Sequence, residues 1–586
     1  MNLQQGKQEF LTLWGYFFIF FFSFLLFLSF QTAGQTLLCP DSFYHAKMAS
    51  FLAEGKLIKN FPWLPYTILA KNYSDHHFLY HLILIPFVLL LNPLWGIKIA
   101  TLFFATLTMI IFYWFLKKFK VRGAFVWTML LLTSSVFLTR LNLAKLPAAA
   151  LPVLFFGLYA LFKKKYLLLT IISFIYVWLY NTWPILLVAV ITYCLASALK
   201  KVIDNWPKIC LNLKHPAPSF GQHRISNNPE TEVLAKVKTA KRFEFRIRNL
   251  FRNWKLGFEI LKIFFAKENI WLILACLLGV IAGLVINPYF PQNLYFDWVH
   301  IVKIGLRNYQ NLLPVGIEWY PYNPIHLILN NPFILIPWLI SLGWFLVSFK
   351  KRSDSLIFGQ KTENICLFVL SFLFFIYTIK SRRNVDYFIP LAVLFTAFSF
   401  NNLFSNFPWK DYFSELKKIN IFPYNLMNAF LVFSLLIIFL FSGFSIFKIV
   451  WQAKKQEFAG GANFNHFQGA ANFLKKTAES GEIIFHSSWD EFPMLFYHND
   501  KNYYIAGLDP TFFYEENKSL YWLWFNIVIG KQKKHLAETI KNNFKASYVF
   551  IQENHKAMKN NFAENKNFEM VYEDKEGSIY KIKNEK

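Results

Sequence analysis

The sequence has little charge, few cysteines and few acidic residues. Only 16% of its 586 residues are charged, and 34 acidic residues stand against 61 basic ones. Its five cysteines form no CxxC pair, so the sequence predicts neither a disulfide framework nor a structural zinc site. P-loop, GxGxxG, GxSxG and HExxH patterns are also absent, which argues against an ATP-driven pump and against a hydrolase.

The sequence is instead rich in apolar residues. Hydrophobic residues make up 55% of it, 70 residues are Phe, and they come in long blocks, as a chain solvated by lipid requires. The formal net charge of +27 arises from Lys and Arg clusters between these blocks. The sequence shows no basic-aromatic module of the kind that binds nucleic acid, so we expect no nucleic-acid partner. We attribute the positive charge to loops that set the membrane topology.

Apolar segments of about 20 residues, the length that crosses a bilayer, occur about eleven times. They lie near 11–31, 95–116, 123–139, 146–162, 166–181, 184–199, 268–287, 326–349, 363–380, 386–403 and 426–448. If the N-terminus is cytoplasmic, every dense basic cluster falls on the inner side, as the positive-inside rule requires. The pattern predicts a mostly α, polytopic transmembrane bundle in the cell (plasma or inner) membrane, with the lipid bilayer as its first partner.

The connections between spans divide the chain further. We expect a transmembrane domain at 1–449, with a first outer loop at 32–94 and a basic cytoplasmic loop at 200–267. An amphipathic helix, Arg242–Lys262, would place its cations against lipid head groups in that inner loop. Residues 450–586 change composition and predict an extracytoplasmic α/β domain. Its helical patterns lie at 467–478, 518–529 and 534–541, and its strand patterns at 483–485, 547–551, 569–572 and 578–582.

Candidate functional residues lie at the outer ends of spans, where an ionisable group needs a partner or a task. Asp41 and His45 follow the first span and share a helix face. The Asp41 carboxylate is suited to accept a proton from a sugar-acceptor hydroxyl or to bind a cation; alternatively it caps a helix.

Further along the first loop, Asp75, His76 and His77 form a dense polar patch, and His77 shares a face with His81. This patch can bind a divalent cation or a phosphate, or it begins an interfacial helix.

Four cations lie on the outer side, against the charge bias: Arg140, Lys145, Arg382 and Arg383. They are candidates for binding a lipid phosphate or pyrophosphate, and the alternative is a contact with lipid head groups.

Two aromatic and acidic pairs complete the candidates. Glu318 and Trp319 lie in the outer loop between Asn287 and Pro324, where they fit either sugar recognition or an interfacial aromatic belt. Trp489 and Asp490 follow a strand in the C-terminal domain, where they either face a ligand or begin a helix.

This layout resembles the GT-C class of membrane glycosyltransferases, which includes protein mannosyltransferases and oligosaccharyltransferase catalytic subunits. Asp41 sits where that class keeps a first-loop catalytic acid, and Glu318 sits in a later outer loop where oligosaccharyltransferases carry a functional acid. Trp489-Asp490 is similar to part of their Trp-Trp-Asp acceptor motif, and Arg382-Arg383 sits where a donor-phosphate arginine is expected. The resemblance covers most of the chain by layout and a few short stretches by motif.

The loop Arg140–Lys145 lacks the acid that metal-dependent members carry there. This departure speaks against a bound divalent cation and favours a metal-independent enzyme or a non-catalytic relative.

The resemblance implies inverting transfer of a sugar from a polyprenyl-phosphate donor to a lipid, glycan or protein acceptor outside the membrane. Asp41 would act as the base, while Arg382, Arg383 or Lys145 would stabilise the leaving phosphate. The competing hypothesis is a non-catalytic multi-pass protein, either a transporter or an envelope scaffold. Convergence of Asp41, Glu318 and Arg382 on one cavity beneath the C-terminal domain would favour the enzyme.

Overall fold

The computed structural model describes residues 3–212, 261–350, 361–406 and 461–583, with short pieces between 440 and 451. The predicted eleventh span at 426–448, most of the basic loop at 200–267 and nearly all of the helix expected at Arg242–Lys262 lie outside these residues.

The membrane part is an assembly of helices, and each of the first ten predicted spans has a helical counterpart. Five helices are long and apolar enough to cross a membrane, or seven if each of two bent pairs is one span. The expected number of about eleven is therefore not confirmed. The helices of this part are Leu3–Gln31, Asp41–Ala53, Phe78–Leu90, Pro93–Lys118, Ala124–Leu131, Ser135–Asn142, Pro147–Phe162, Tyr166–Leu179, Pro184–Asn212, Lys267–Val285, Gln292–Trp298, Pro324–Asn330, Pro332–Lys350, Thr362–Lys380 and Val385–Asn406.

Two segments predicted as straight spans are bent. The first turns by 75° between Leu131 and Ser135, and the second by 112° between Asn330 and Pro332. Ser134 caps the new helix at the first bend by accepting a hydrogen bond from the Phe137 amide. At the second, Pro332 begins the new helix, where its missing N–H is tolerated.

Helices Tyr166–Leu179 and Lys267–Val285 pack closely through small residues. A Cβ added to Gly279 would lie 2.2 Å from the Thr170 carbonyl oxygen and 2.7 Å from the Ser173 Cβ. The Thr170 hydroxyl donates to the Ala275 carbonyl at 2.9 Å across this contact. Close backbone approach with interhelical hydrogen bonds is the usual basis of helix association in lipid.

Gly279→Ala is therefore expected to lower the free energy of unfolding by about 1–3 kcal/mol, the typical cost of overpacking. The matched control is Gly343→Ala, because nothing lies within 4 Å of a Cβ added at Gly343, which is also helical. Thermal unfolding of both variants in detergent measures the difference. Equal midpoints would contradict the close contact.

Strand pairing and polar contacts join the first loop to the C-terminal region. Strand β1 (Thr36–Leu37) pairs antiparallel with β2 (Ala462–Asn463). The Trp63 indole donates to the Asp500 carbonyl at 2.7 Å, and the Lys47 ammonium lies 2.9 Å from the Asp500 carboxylate. These contacts fix the start of the chain's first loop against the C-terminal region.

The C-terminal region contains a five-stranded mixed sheet covered by helices. Its strands are β3 (Ile483–His486), β4 (Tyr503–Tyr504), β5 (Ala546–Gln552), β6 (Phe568–Glu573) and β7 (Gly577–Ile582), in the order β4-β3-β5-β7-β6. Strands β4, β3 and β5 run parallel, while β7 and β6 are antiparallel neighbours. The four predicted strands and three predicted helices are confirmed. The helices are Gln468–Thr477, Phe492–His498, Pro510–Glu516, Lys518–Val528, Leu536–Phe544 and Lys556–Ala563.

Candidate active site

A cavity of about 900 Å³ lies between the helical bundle and the C-terminal region. Asp41, Glu318 and Arg382 all line it, as the enzyme hypothesis requires. Every other predicted site residue except Asp75 lines it too: His45, His76, His77, Arg140, Lys145, Trp319, Arg383, Trp489 and Asp490. Ionisable groups from widely separated loops therefore converge on one chamber at one end of the bundle.

Asp41 is the first residue of helix Asp41–Ala53, and the capping position is taken by Pro40. The helix N-terminus favours a carboxylate there, since its partial charge is positive. The Lys145 ammonium lies 2.6 Å from the Asp41 carboxylate and 3.9 Å from that of Glu318. Burial would lower the pKa of Lys145, but Asp41 and Glu318 raise it above its ordinary value, so Lys145 stays cationic.

Glu318 is surrounded by cations. It lies in the short helical turn Ile317–Trp319, pairs with Arg140, and lies 3.4 Å from the Arg383 guanidinium. Burial alone would raise the pKa of Glu318, but Lys145, Arg140 and Arg383 together lower it well below its usual range. The carboxylate is therefore ionised, and its neighbours are cations rather than further metal-ligating oxygens.

Arg140 is held by two carboxylates. Its Nε and Nη2 donate to Asp386 at 2.7 and 2.9 Å, and its Nη1 donates to Glu318. Arg140 is 9% exposed and Asp386 only 3%. Arg140 was predicted as a phosphate ligand, and in this structure its guanidinium is paired with Asp386 and Glu318. Sequence reasoning missed Asp386, although a carboxylate at the start of an apolar helix signals the need for a cationic partner.

Backbone hydrogen bonds hold the two loops that carry Glu318 and Arg383. The Tyr322 amide donates to the Ile379 carbonyl at 3.0 Å, and the Arg382 amide donates to the Tyr320 carbonyl at 3.1 Å. The Ser381 hydroxyl donates to the Glu318 carbonyl at 3.1 Å. Glu318 and the arginine pair are thus positioned as one unit.

The two neighbouring arginines differ in their surroundings. The Arg383 guanidinium lies over the Trp319 ring at 4.7 Å and donates to the Tyr180 hydroxyl. Arg382 is exposed, donates to the Pro321 carbonyl, and makes no ion pair within the described ranges. Arg382 is therefore the cation of this site that is open to an incoming anion.

The histidine patch of the first loop is more extensive than its sequence suggests. His45 and His77 line the cavity, whereas His81 lies buried behind them and contacts Asp75. Burial and the neighbouring histidines lower the pKa of His77 well below its usual value, and burial lowers that of His76 to about 3. These side chains are therefore neutral at pH 7.

The C-terminal region closes the cavity. The Trp489 indole donates to the Pro314 carbonyl at 3.1 Å, and Asp490 is exposed at the rim. Asp509 also lines the cavity, where it caps helix Pro510–Glu516 by accepting from the Thr511 amide at 2.8 Å. Burial raises the pKa of Asp509 to about 6. Asp509 was not among the predicted site residues, and only the fold brings it to the cavity.

No protein-family model matches the sequence, and no curated protein does. Solved structures are similar in fold. An archaeal oligosaccharyltransferase, AglB from Archaeoglobus fulgidus, matches over 93% of this chain and 70% of its own, with a TM-score of 0.57 and 13% identity. ArnT from Cupriavidus metallidurans, bound to undecaprenyl phosphate, matches over 98% of both chains with a TM-score of 0.51 and 10% identity.

The arabinofuranosyltransferase AftD from Mycobacteria matches over 97% of this chain but 40% of its own length, with a TM-score of 0.53 and 10% identity. At such low identity the likeness shows the fold alone. These neighbours are all polytopic membrane glycosyltransferases of one structural class. The chain therefore has the GT-C fold.

Proposed function

We propose that the chain is a membrane glycosyltransferase that transfers a sugar from a polyprenyl-phosphate-linked donor to an acceptor on the outer face of the membrane. The observation that carries this proposal is the convergence of Asp41, Glu318 and Arg382 on one cavity in a GT-C fold. Two proteins of this fold were solved with a lipid phosphate, dolichol-phosphate in AglB and undecaprenyl phosphate in ArnT.

Asp41 acts as the general base in the proposed reaction. Its carboxylate takes the proton of an acceptor hydroxyl while the hydroxyl oxygen forms a bond to the anomeric carbon of the donor sugar. The bond between that carbon and the phosphate oxygen breaks, and the phosphate leaves on the lipid. Attack opposite the leaving group inverts the configuration at the anomeric carbon.

The leaving phosphate gains negative charge, which the site's cations stabilise. Arg382 makes no ion pair with the described carboxylates, so its guanidinium is available for phosphate oxygens. Arg383 and Lys145 add positive charge nearby, while Arg140 holds Glu318 in place. Glu318 and Trp319 then contact the sugar, and Trp489 and Asp490 lie on the acceptor side.

The charge distribution supports the assignment of the cavity to the outer face. Helix Pro93–Lys118 begins near the cavity end and finishes at Lys117 and Lys118, and helix Pro147–Phe162 is followed by a lysine run at 163–165. These clusters lie at the bundle end opposite the cavity, where the positive-inside rule places the cytoplasm.

The proposal is tested with the purified chain in sealed proteoliposomes of known orientation. A panel of radiolabelled polyprenyl-phosphate sugars is supplied together with glycan, lipid and peptide acceptors. Label should move from donor to acceptor when both are accessible to the cavity side, and undecaprenyl phosphate should compete with the donor. Absence of transfer together with absence of competition would refute the proposal.

Arg382→Met is expected to weaken binding of undecaprenyl phosphate by about 10- to 100-fold, because a charge-assisted hydrogen bond is worth about 1.5–3 kcal/mol. Arg122→Met is the matched control, since Arg122 lies in the connection after Lys117–Lys118, away from the cavity. Affinity is measured by titrating the lipid into the protein in detergent. Equal losses of affinity in both variants would show that Arg382 does not bind the lipid phosphate.

A further inference from the structure

One cluster among the described residues brings three metal-ligating side chains together, and it does not involve the carboxylates of the proposed reaction. His45, His77 and His81 each offer a ring nitrogen, and these atoms all lie within 4.8 Å of one another. The three histidines come from two helices and the turn between them: His45 from Asp41–Ala53, His77 from the capping position of Phe78–Leu90, and His81 from its first turn.

We propose that His45, His77 and His81 bind one divalent cation of the zinc class in the wall of the cavity. Imidazole nitrogens select such ions, whereas Mg²⁺ and Ca²⁺ require oxygen ligands. Three protein ligands with a fourth position left to water or a substrate oxygen is a usual arrangement for zinc. Since His45 and His77 line the cavity, an oxygen held there can fill the fourth position.

The surroundings of His81 support this assignment. Its Nδ1 lies 2.7 Å from the Asp75 carboxylate, and both residues are buried. A carboxylate that accepts the N–H of a histidine fixes the ring so that its other nitrogen faces the ion, and this outer partner is typical of metal-ligating histidines. The other nitrogen of His81, Nε2, is hydrogen-bonded to the Nδ1 of His45 at 2.8 Å, and a bound ion would replace this hydrogen bond.

His77 supplies a second, independent observation. Its Nδ1 is buried and has no hydrogen-bond partner among the residues that the structure describes. A buried ring nitrogen without a partner is unfavourable, and an ion would satisfy it. Nitrogens around a tetrahedral zinc lie about 3.4 Å apart, so binding requires the His45 and His81 rings to separate by roughly 0.6 Å.

Asp75 thereby acquires a positioning role. It belongs to the polar patch predicted in the first loop, yet it does not line the cavity, and its other oxygen accepts a hydrogen bond from the His77 amide at 3.1 Å. One carboxylate thus orients two members of the cluster, one through a side chain and one through the backbone.

Metal binding is measured directly on the full chain in detergent, without reference to sugar transfer. After chelation and removal of the chelator, Co²⁺ is titrated and followed by its visible absorption, then displaced with Zn²⁺; bound zinc is counted by mass spectrometry. One equivalent is expected, Mg²⁺ should not compete, and Zn²⁺ should raise the unfolding temperature. Absence of a stoichiometric ion in the wild-type chain would overturn the proposal.

The variants are chosen as a matched pair. His77→Ala should weaken binding by more than about 100-fold, because even the outer partner of a ligand is worth about 10- to 100-fold. His76→Ala, one residue away, should retain binding, since His76 packs on His77, Phe296 and His300 but contributes no ligand atom to the cluster. Asp75→Asn should weaken binding by about 10- to 100-fold.

The pair also separates loss of the ligand from loss of the fold. His77→Ala should unfold at the temperature of the metal-free wild type, and Zn²⁺ should not raise that temperature. In His76→Ala, Zn²⁺ should raise the unfolding temperature by as much as in the wild type. Equal binding by both variants, or equal loss, would exclude the three-histidine site and leave a hydrogen-bonded chain from His45 through His81 to Asp75.

Discussion

Asp41→Asn is expected to lower the rate of sugar transfer by about 10²- to 10⁴-fold, the usual contribution of a positioned general base. The amide keeps the shape of the carboxylate but cannot take up a proton from the acceptor hydroxyl. Lys145, 2.6 Å from the Asp41 carboxylate, would keep a charged partner only in Glu318, 3.9 Å away. Initial rates are measured in proteoliposomes at saturating donor, and the affinity for undecaprenyl phosphate should stay near that of the wild type.

The matched control changes a carboxylate to an amide at the other end of the same helix. Glu54 follows helix Asp41–Ala53, is exposed, and contacts Lys56, away from the cavity. Glu54→Gln should transfer sugar at the wild-type rate. Full activity in Asp41→Asn would remove Asp41 from the chemical step, and a shared loss in both variants would indicate damage to the helix.

Arg140→Met is expected to destabilise the protein by about 3–5 kcal/mol, the cost of leaving a buried charge without its partner. Asp386 would remain buried with no guanidinium to donate to it, and Glu318 would lose one of its three cations. Thermal unfolding in detergent should show a clear fall in midpoint. The loss exceeds that expected from the removed packing, since Met fills much of the same volume.

A second substitution distinguishes the ion pair from the packing. Replacing Asp386 by Leu in the Arg140→Met background removes the orphaned carboxylate, so most of the lost stability should return. A double variant as unstable as Arg140→Met alone would show that the pair's charge is not what the fold depends on.

The sequence predicts which helices and strands form better than it predicts where the helices bend. Long apolar blocks identify the spans, and short strand-like runs identify strands β3, β5, β6 and β7, because these signals are local. The two bends lie at short polar breaks in apolar segments, 133–135 and 330–331, where Ser134 and Pro332 begin the next helices. Hydropathy alone does not distinguish a bent span from a straight one.

The sequence identifies which residues belong to the candidate site, but not which of them pair with one another. Ionisable residues beside apolar blocks are few, so Asp41, Glu318 and Arg383 stand out from the sequence. Which carboxylate each cation contacts depends on contacts between distant loops, so the pairing of Arg140 with Asp386 does not follow from the sequence. His81 was noticed only through its shared face with His77, since its partner His45 comes from another helix.

The pairing of β1 with β2 bears on the order in which this protein is made. Trp63 and Asp500, whose hydrogen bond joins the same two parts, are 437 positions apart in the sequence. During synthesis the first loop leaves the ribosome long before its partners exist, so it must wait unpaired while the helices insert. The cavity is therefore completed last, and the nascent chain lacks it until the final quarter of the sequence has been translated.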